Sequence, residues 1–295
     1  MSVSLGQLGF WTGQFSLAGV SEEQLGEFAG QLEQAGYGAI WLGSASADLR
    51  LAEPVLSATS GLVYATGILN MWTEPAGQVA ASYRRLSAYP DRVLAGIGAG
   101  HPERPDNKQY ARPYASLVAY LDALAEIPAG HLALAALGPR VLALAARRTA
   151  GAHPYSTTPA HTRRAREILG AGPLLAPEQK VVLETDPVRA RQIGRESLGP
   201  ILGLVNYRNN FLRLGFTEQD LVGGGSDRLV DATIAWGDPA TVAARITEHH
   251  QAGASHVAVQ VLGTGNPLPI AELREVSAAL AATGAAVPGS GACPR

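Results

Sequence analysis

The sequence predicts an α/β chain folded as a (β/α)8 TIM barrel, and three observations carry the prediction. Short apolar runs alternate with helical patterns over nearly the whole of the 295 residues. Eight such runs can be counted, near 5–11, 38–43, 62–69, 92–98, 131–136, 150–155, 179–184 and 256–262. In the third and fourth runs, small and polar residues collect at the C-terminal end. They are Thr66, Gly67 and Asn70 on one, and Gly98, Gly100 and His101 on the other. Parallel strands of α/β enzymes are buried on both faces and carry their chemistry at that end. The pattern that gives the fold class therefore also points to the rim where a ligand sits.

Helical patterns fill the intervals, near 22–35, 52–59, 75–88, 112–126, 139–148, 159–169 and 187–197, with two more at 239–251 and 269–281. Ser21 with Gln24 forms a capping box ahead of the first. Gly138-Pro139, Thr158-Pro159, Asp186-Pro187 and Asp238-Pro239 each set a capping-type residue before a proline at the first helical position. Proline suits that position because its missing N–H would be unpaired there anyway. An open dinucleotide-binding sheet needs a strand followed at once by G-x-G-x-x-G and a helix. Here Gly96, Gly98 and Gly100 lead into His101-Pro102 and Pro105, which delay any helix until about Arg112. No G-K-[ST] occurs, so a P-loop is excluded as well.

Between the seventh and eighth runs lie about 70 residues, too many for one crossover. The excess, about 198–235, reads as an insertion over the C-terminal face; it holds Asn206-Tyr207-Arg208-Asn209-Asn210 and Gly223-Gly224-Gly225. One domain is expected over 1–284, with 285–295 a frayed tail.

With 46% hydrophobic residues the chain can bury a large core, and a formal charge of −2 without a basic stripe argues against nucleic acid as the main partner. The single cysteine, Cys293, rules out a disulfide framework or a thiolate metal site. Neither a signal-peptide pattern nor an apolar run of membrane length is present, so a soluble cytoplasmic protein is expected.

The segment ATGILNMWTEP (65–75) followed by RVLAGIGAGHP (92–102) resembles the luciferase-like monooxygenase superfamily, in particular its actinobacterial coenzyme F420-dependent oxidoreductases. The resemblance continues through AALGPRVLALAARRTAGAHPY (135–155), LLAPEQKVVLETDP (174–187), GGGSDRLVDATIAWGDP (223–239) and AGASHVAVQVL (252–262). It implies a barrel that binds a flavin or deazaflavin at the C-terminal mouth, usually as a homodimer, and transfers hydride to or from a small organic substrate. It also implies a non-proline cis peptide, here Gly67-Ile68, bulging against the cofactor ring, with Asn70 beside it. Gly98, Ala99 and Gly100 fall where the backbone approaches the cofactor. The stretch Leu137-Gly138-Pro139-Arg140-Val141 matches the family's phosphate-binding helix start. His101 occupies the place of an acidic proton donor in a relative, a role imidazole can fill. Many relatives end the second strand with Asp-His, whereas this chain has Gly43-Ser44-Ala45, which removes one expected acid/base.

The substrate side is expected around Trp11, Ser44, Trp72, Asn206 and Tyr207. His153 and Tyr155 close the sixth run, touching the cofactor tail or packing under the insertion. His131 is expected on the barrel's far face in a structural role, and His249-His250 solvated near a helix end. The leading expectation is coenzyme F420-dependent hydride transfer, and the near alternative is an FMN-dependent monooxygenase on the same scaffold. A metal-dependent barrel hydrolase is disfavoured, because the first strand carries Phe10-Trp11-Thr12 where His-x-His is usual, and no metal is expected. A non-catalytic barrel that sequesters a ligand is the third reading.

Overall fold

Eleven strand segments form one parallel sheet in the computed structural model, which describes residues 3–103 and 110–283; Pro105 and the tail with Cys293 lie outside the described residues. The segments are β1 (Leu8–Gly13), β2 (Ala39–Gly43), β3 (Val63–Thr66), β4 (Leu69–Asn70), β5 (Val93–Gly98) and β6 (Leu132–Leu134). They continue as β7 (Gly151–Ala152), β8 (Leu174–Leu175), β9 (Glu178–Val182), β10 (Ile234–Trp236) and β11 (Val257–Val261). The hydrogen-bonded order is β10-β9-β11-β1-β2-β3-β5-β6-β7-β8, with β4 on β5.

The two ends of that order meet, because β8 and β9 are halves of one strand joined by Ala176-Pro177. On one side, the amides of Leu174, Ala176 and Glu178 donate to the carbonyls of Ala150, Ala152 and Pro154. On the other, Ala258 pairs with Glu178 and its amide donates to the Pro177 carbonyl. Eight strands thus close into a (β/α)8 barrel, with β10 added along the C-terminal half of β9. All eight expected runs are present. The third is interrupted between β3 and β4 by the Gly67-Ile68 peptide, which is cis. The seventh begins earlier than its sequence suggests, since Pro177 lacks the N–H a ladder uses and breaks the run.

The helices are α1 (Glu22–Gln34), α2 (Ala52–Ser57), α3 (Ala76–Arg85), α4 (Pro113–Ala123), α5 (Pro139–Arg148) and α6 (Pro159–Leu169). They are followed by α7 (Pro187–Leu202), α8 (Val205–Arg213), α9 (Asp227–Thr233), α10 (Pro239–Gln251) and α11 (Ile270–Ala282). The four proline starts fall at the expected residues. Ser21 and Gln24 form the reciprocal capping box, and Thr158, Asp186 and Asp238 accept first-turn amides. Helix α7 runs on to Leu202, so the insertion proper starts later than residue 198, and β10 ends at Trp236, just past the expected 235.

Strand residues alternate between two cores. Phe10, Ile40, Leu42, Tyr64, Val257 and Val259 face outward into a large cluster with α1 and its neighbours. Trp11, Trp41, Val63, Ala65, Leu94 and Ala258 face inward and fill the cylinder. The insertion packs Phe211, Phe216, Leu229 and Val230 around a third apolar core, which Val182 of β9 and Ala190 and Leu198 of α7 share. His131 stands at the N-terminal end of β6, where it bonds Tyr83 and pairs with Asp91 (3.0 Å), a structural place on the far face. His249 and His250 overturn the expectation of solvated side chains, being 0% and 7% exposed. They lie on the same stripe of α10 as Val242, Ala243 and Ile246, which faces the barrel.

Candidate active site

The C-terminal rim of the cylinder gathers most of the residues singled out from sequence. Residues 62–66 of the third strand are buried, but Gly67 and Ile68 are half-buried where the chain reaches the rim. Beneath them lies the indole of Trp11. A Cβ on Gly67 would stand 2.6 Å from Trp11 Nε1 and 2.8 Å from His153 Nε2, and one on Gly43 would stand 2.2 Å from the same indole. Two glycines thus make the slot that holds Trp11. His153 stacks on Trp41 with ring centroids 4.0 Å apart, and its Nδ1 lies 2.7 Å from the Ala176 carbonyl. That carbonyl can only accept, so Nδ1 carries the proton and Nε2 keeps its lone pair. Burial pulls His153 down to about 4, so the ring is neutral at pH 7.

Beside this floor, Ile68 covers Gly98: a Cβ there would lie 2.8 Å from Ile68 Cδ1 and Cγ1. Gly100 has φ +58, a left-handed value that favours glycine. Asn70 Oδ1 accepts the Trp72 amide (3.3 Å), and Trp72 Nε1 donates to the Ala99 carbonyl (2.7 Å). Ser44 is exposed at the end of β2 with φ 53, next to Ala45, whose amide donates to the Ile68 carbonyl.

Across the β6 end, α5 begins at Gly138 with no side chain capping it, unlike α6, α7 and α10. A Cβ on Gly138 would meet no atom within 4 Å. Arg140 is exposed and lies over the Tyr114 ring at 4.5 Å. Leu137 gives its carbonyl to His161 (2.9 Å), while Val141 packs on the outer core. An uncapped helix start facing open space is suited to an anion, through first-turn amides and the helix dipole.

The insertion covers the remaining side. Tyr207 of α8 lies 5.1 Å from His101 and 6.3 Å from Tyr155, measured between ring centroids. Asn206 Nδ2 lies 3.4 Å from His101 Nδ1 and 3.5 Å from the Gly100 carbonyl. Tyr155 in turn packs on Trp11 at 4.8 Å. The structure therefore joins Trp11, His101, Tyr155, Asn206 and Tyr207 into one wall. Tyr155 stands there under α8, in the same apolar cluster as Leu137 ahead of α5.

Three further side chains face the interior and carry no sequence expectation. Lys180 and Glu178, 1% and 0% exposed at their side chains, pair at 3.0 Å inside the barrel. Lys180 Nζ sits 3.7 Å from the centre of the Tyr155 ring, and Tyr155 donates its hydroxyl proton to Gln260 Oε1 (3.0 Å). The available signal is period two: Gln179 bonds His249 of α10 and so faces outward, which turns Glu178 and Lys180 inward. Between the ends of β1 and β11, Trp11, Thr12, Ser16 and Gln260 line a cavity of ≈ 330 Å³. A larger groove of ≈ 540 Å³, by Trp236 and α10, lies apart from these residues. Among the described residues, no three His, Cys, Asp or Glu side chains are grouped to hold a metal, and no helix is long and apolar enough to cross a membrane.

No protein-family model matches the sequence, and no curated protein matches it either. Solved structures do match the fold. A coenzyme F420-dependent tetrahydromethanopterin reductase from Methanopyrus kandleri is similar at TM-score 0.71 and 14% identity, over 95% of this chain and 99% of that one. An F420-dependent secondary alcohol dehydrogenase, solved with an F420-acetone adduct, is similar at TM-score 0.69 and 14% identity, over 94% and 99%. The oxygenating constituent of 3,6-diketocamphane monooxygenase from Pseudomonas putida, solved with FMN, is similar at TM-score 0.67 and 15% identity, over 94% and 98%. At these identities the likeness establishes the fold.

Proposed function

We propose that this chain, whose fold is the luciferase-like barrel, is an oxidoreductase that binds coenzyme F420 at its C-terminal mouth and exchanges hydride with a small organic substrate. The observation that carries the reading is the pairing of two features on one rim. One is the half-buried Gly67-Ile68 backbone at the rim, with Trp11 and His153 packed close beneath it where Gly67 carries no side chain. The other is the uncapped start of α5 at Gly138. A tricyclic ring on the first and a phosphate on the second fit the residues present. The α5 amides and Arg140 hold the anion, Asn70 and the 98–100 backbone border the ring, and Trp11 and His153 support the strand from below. The cofactor, when bound, supplies hydride chemistry, and the protein supplies position and electrostatics.

His101 is the residue proposed to hold or deliver a proton at the substrate. Its ring stands on the rim between α8 and the β5 end, within reach of a ligand over the mouth. Tyr207 and Asn206 orient it, and α8 keeps water from that side. His101 carries this role in the proposal, in place of the Asp-His that Gly43-Ser44-Ala45 lacks. A cytoplasmic homodimer is part of the same reading.

The preference for the deazaflavin rests on the resemblance of residues 65–102 and 135–155. The second reading, an FMN-dependent monooxygenase, is favoured by the fold shared with the FMN-bound monooxygenase. Parallel titration of the purified protein with coenzyme F420 and FMN separates them. Saturable F420 binding with no oxygen consumption is expected; tight FMN binding with oxygen uptake and no response to F420 reverses the assignment.

A further inference from the structure

The buried Glu178–Lys180 pair is not explained by the proposed hydride transfer or by stability. Burying an ion pair is commonly neutral or unfavourable against apolar side chains of the same volume. The pair lies in the wall of the mouth, and its contacts lead outward in one direction. Glu178 Oε2 takes the Ser156 amide (2.9 Å) and the Lys180 ammonium (3.0 Å). The ammonium lies against the face of Tyr155 at 3.7 Å, a cation–π contact strengthened by the dry surroundings. Trp11 packs on the same phenol at 4.8 Å. With its ring held in this way, Tyr155 donates its hydroxyl proton to Gln260 Oε1 at 3.0 Å.

An amide whose oxygen is occupied presents its nitrogen on the other side. Gln260 is half-buried, and it lines the ≈ 330 Å³ cavity between β1 and β11 together with Trp11, Thr12 and Ser16. None of the residues lining that cavity carries a charge. An ionised substrate placed there would lose hydration without a counter-charge, whereas a neutral oxygen needs only one or two hydrogen-bond partners. Thr12, Ser16 and Gln260 give that lining a largely polar but uncharged character, with Trp11 beside them, which suits a neutral oxygen better than a purely apolar or an ionised group.

We propose that Gln260 is a substrate-orienting residue that donates from Nε2 to the oxygen of an uncharged carbonyl or alcohol compound. Glu178, Lys180 and Tyr155 are positioning residues that lock its amide in that orientation. The inference deepens the proposed oxidoreductase reading and rests on it, because the cavity serves a reaction only if the cofactor lies on the adjoining rim.

The test uses the protein loaded with whichever of coenzyme F420 and FMN it binds, that affinity being measured first. Failure to bind either cofactor defeats the oxidoreductase reading; with a cofactor bound, two small probes decide the role of Gln260 separately. Cyclohexanone and cyclohexanecarboxylate serve as size-matched probes, their dissociation constants measured by ligand-observed NMR. The ketone is expected to bind at least about tenfold more tightly than the carboxylate. Gln260→Leu should weaken ketone binding about five- to tenfold, the loss of one neutral hydrogen bond, with cofactor affinity unchanged. Lys180→Met should lose a similar factor, and Gln260→Leu with Lys180→Met no more than either alone, since both act through one amide. If Lys180→Met fails to fold, Tyr155→Phe removes only the hydroxyl and carries the same comparison. A ketone that does not bind the loaded protein, a carboxylate bound as tightly, an unaffected Gln260→Leu, or losses that multiply would each overturn the inference.

Discussion

Replacing Gly67 by alanine tests the floor of the mouth directly. The backbone of Gly67 lies outside the left-handed region, so alanine is allowed there conformationally and the cost is steric. The new methyl would stand 2.6 Å from Trp11 Nε1, 2.8 Å from His153 Nε2 and 3.3 Å from His153 Cδ2. Neither ring can retreat easily. Trp11 already fills the space over Gly43 and packs on Tyr155, while His153 is tethered to the Ala176 carbonyl and stacked on Trp41. Overpacking of this kind costs about 1–3 kcal/mol, and the reduced freedom of the unfolded chain returns about 0.4–1 kcal/mol, leaving a net loss centred on ~1.3 kcal/mol. An unfolding entropy of about 2.1 cal/mol/K per residue gives ~0.6 kcal/mol/K for 295 residues, so Tm should fall by roughly 2–3 °C. Calorimetry reads the shift, and a parallel titration should show weaker cofactor binding as the 67–68 backbone is pushed toward the ring. Adding Trp11→Phe, which removes the nearest atom, should make the second substitution cost less in the alanine background than alone. An unchanged or higher Tm together with full cofactor affinity would refute the packing argument.

Gly138→Ala should behave in the opposite way: with no atom within 4 Å of the added carbon, Tm stays within about 1 °C, but cofactor affinity falls because the methyl occupies the anion's approach to α5. Retained affinity in a binding titration would remove the phosphate from that helix start. His101→Ala should lower turnover at least about tenfold while leaving cofactor binding measurable, and steady-state rates equal to the parent's would take His101 out of the mechanism. Acid should destabilise the fold through its buried histidines. Burial holds His153 at about 4 and His249 and His256 at about 3, all below the ordinary histidine value. The unfolded chain therefore binds more protons between about pH 6.5 and 4, so stability is complete above that window and falls within it, by up to about 1.4 kcal/mol per pH unit for each histidine. Urea midpoints at pH 7.5 and 5.0 check this, and equal midpoints would contradict it.

The parts of the fold written in local chemistry were legible in the sequence. Pro139, Pro159, Pro187 and Pro239 mark helix starts to the residue because capping and a missing N–H act within one turn. Strand interiors showed as apolar runs, and small residues at two strand ends located the rim. What escaped depends on partners distant in sequence. Pro177 hid the union of β8 and β9, which only the ladders to β7 and β11 reveal. The adjacent pair His249-His250 suggested a solvated helix end; the stripe of Val242, Ala243 and Ile246 already pointed the other way. Glu178 and Lys180 sit two apart in β9, on either side of Gln179, a spacing that places both on one face, but which face is inward is set by α10. Gln260 gains its place only when Tyr155 of another strand reaches it.

Helix α8 meets His101 and Tyr155 from a stretch that folds around its own apolar residues, Phe211 and Phe216 among them. The roof of the chamber is consequently cast largely from its own residues and keyed to the barrel through Val182 and Ala190. Descendants of such a chain can recast the lid, altering which molecules fit, while the stave-like wall and its register stay as they were.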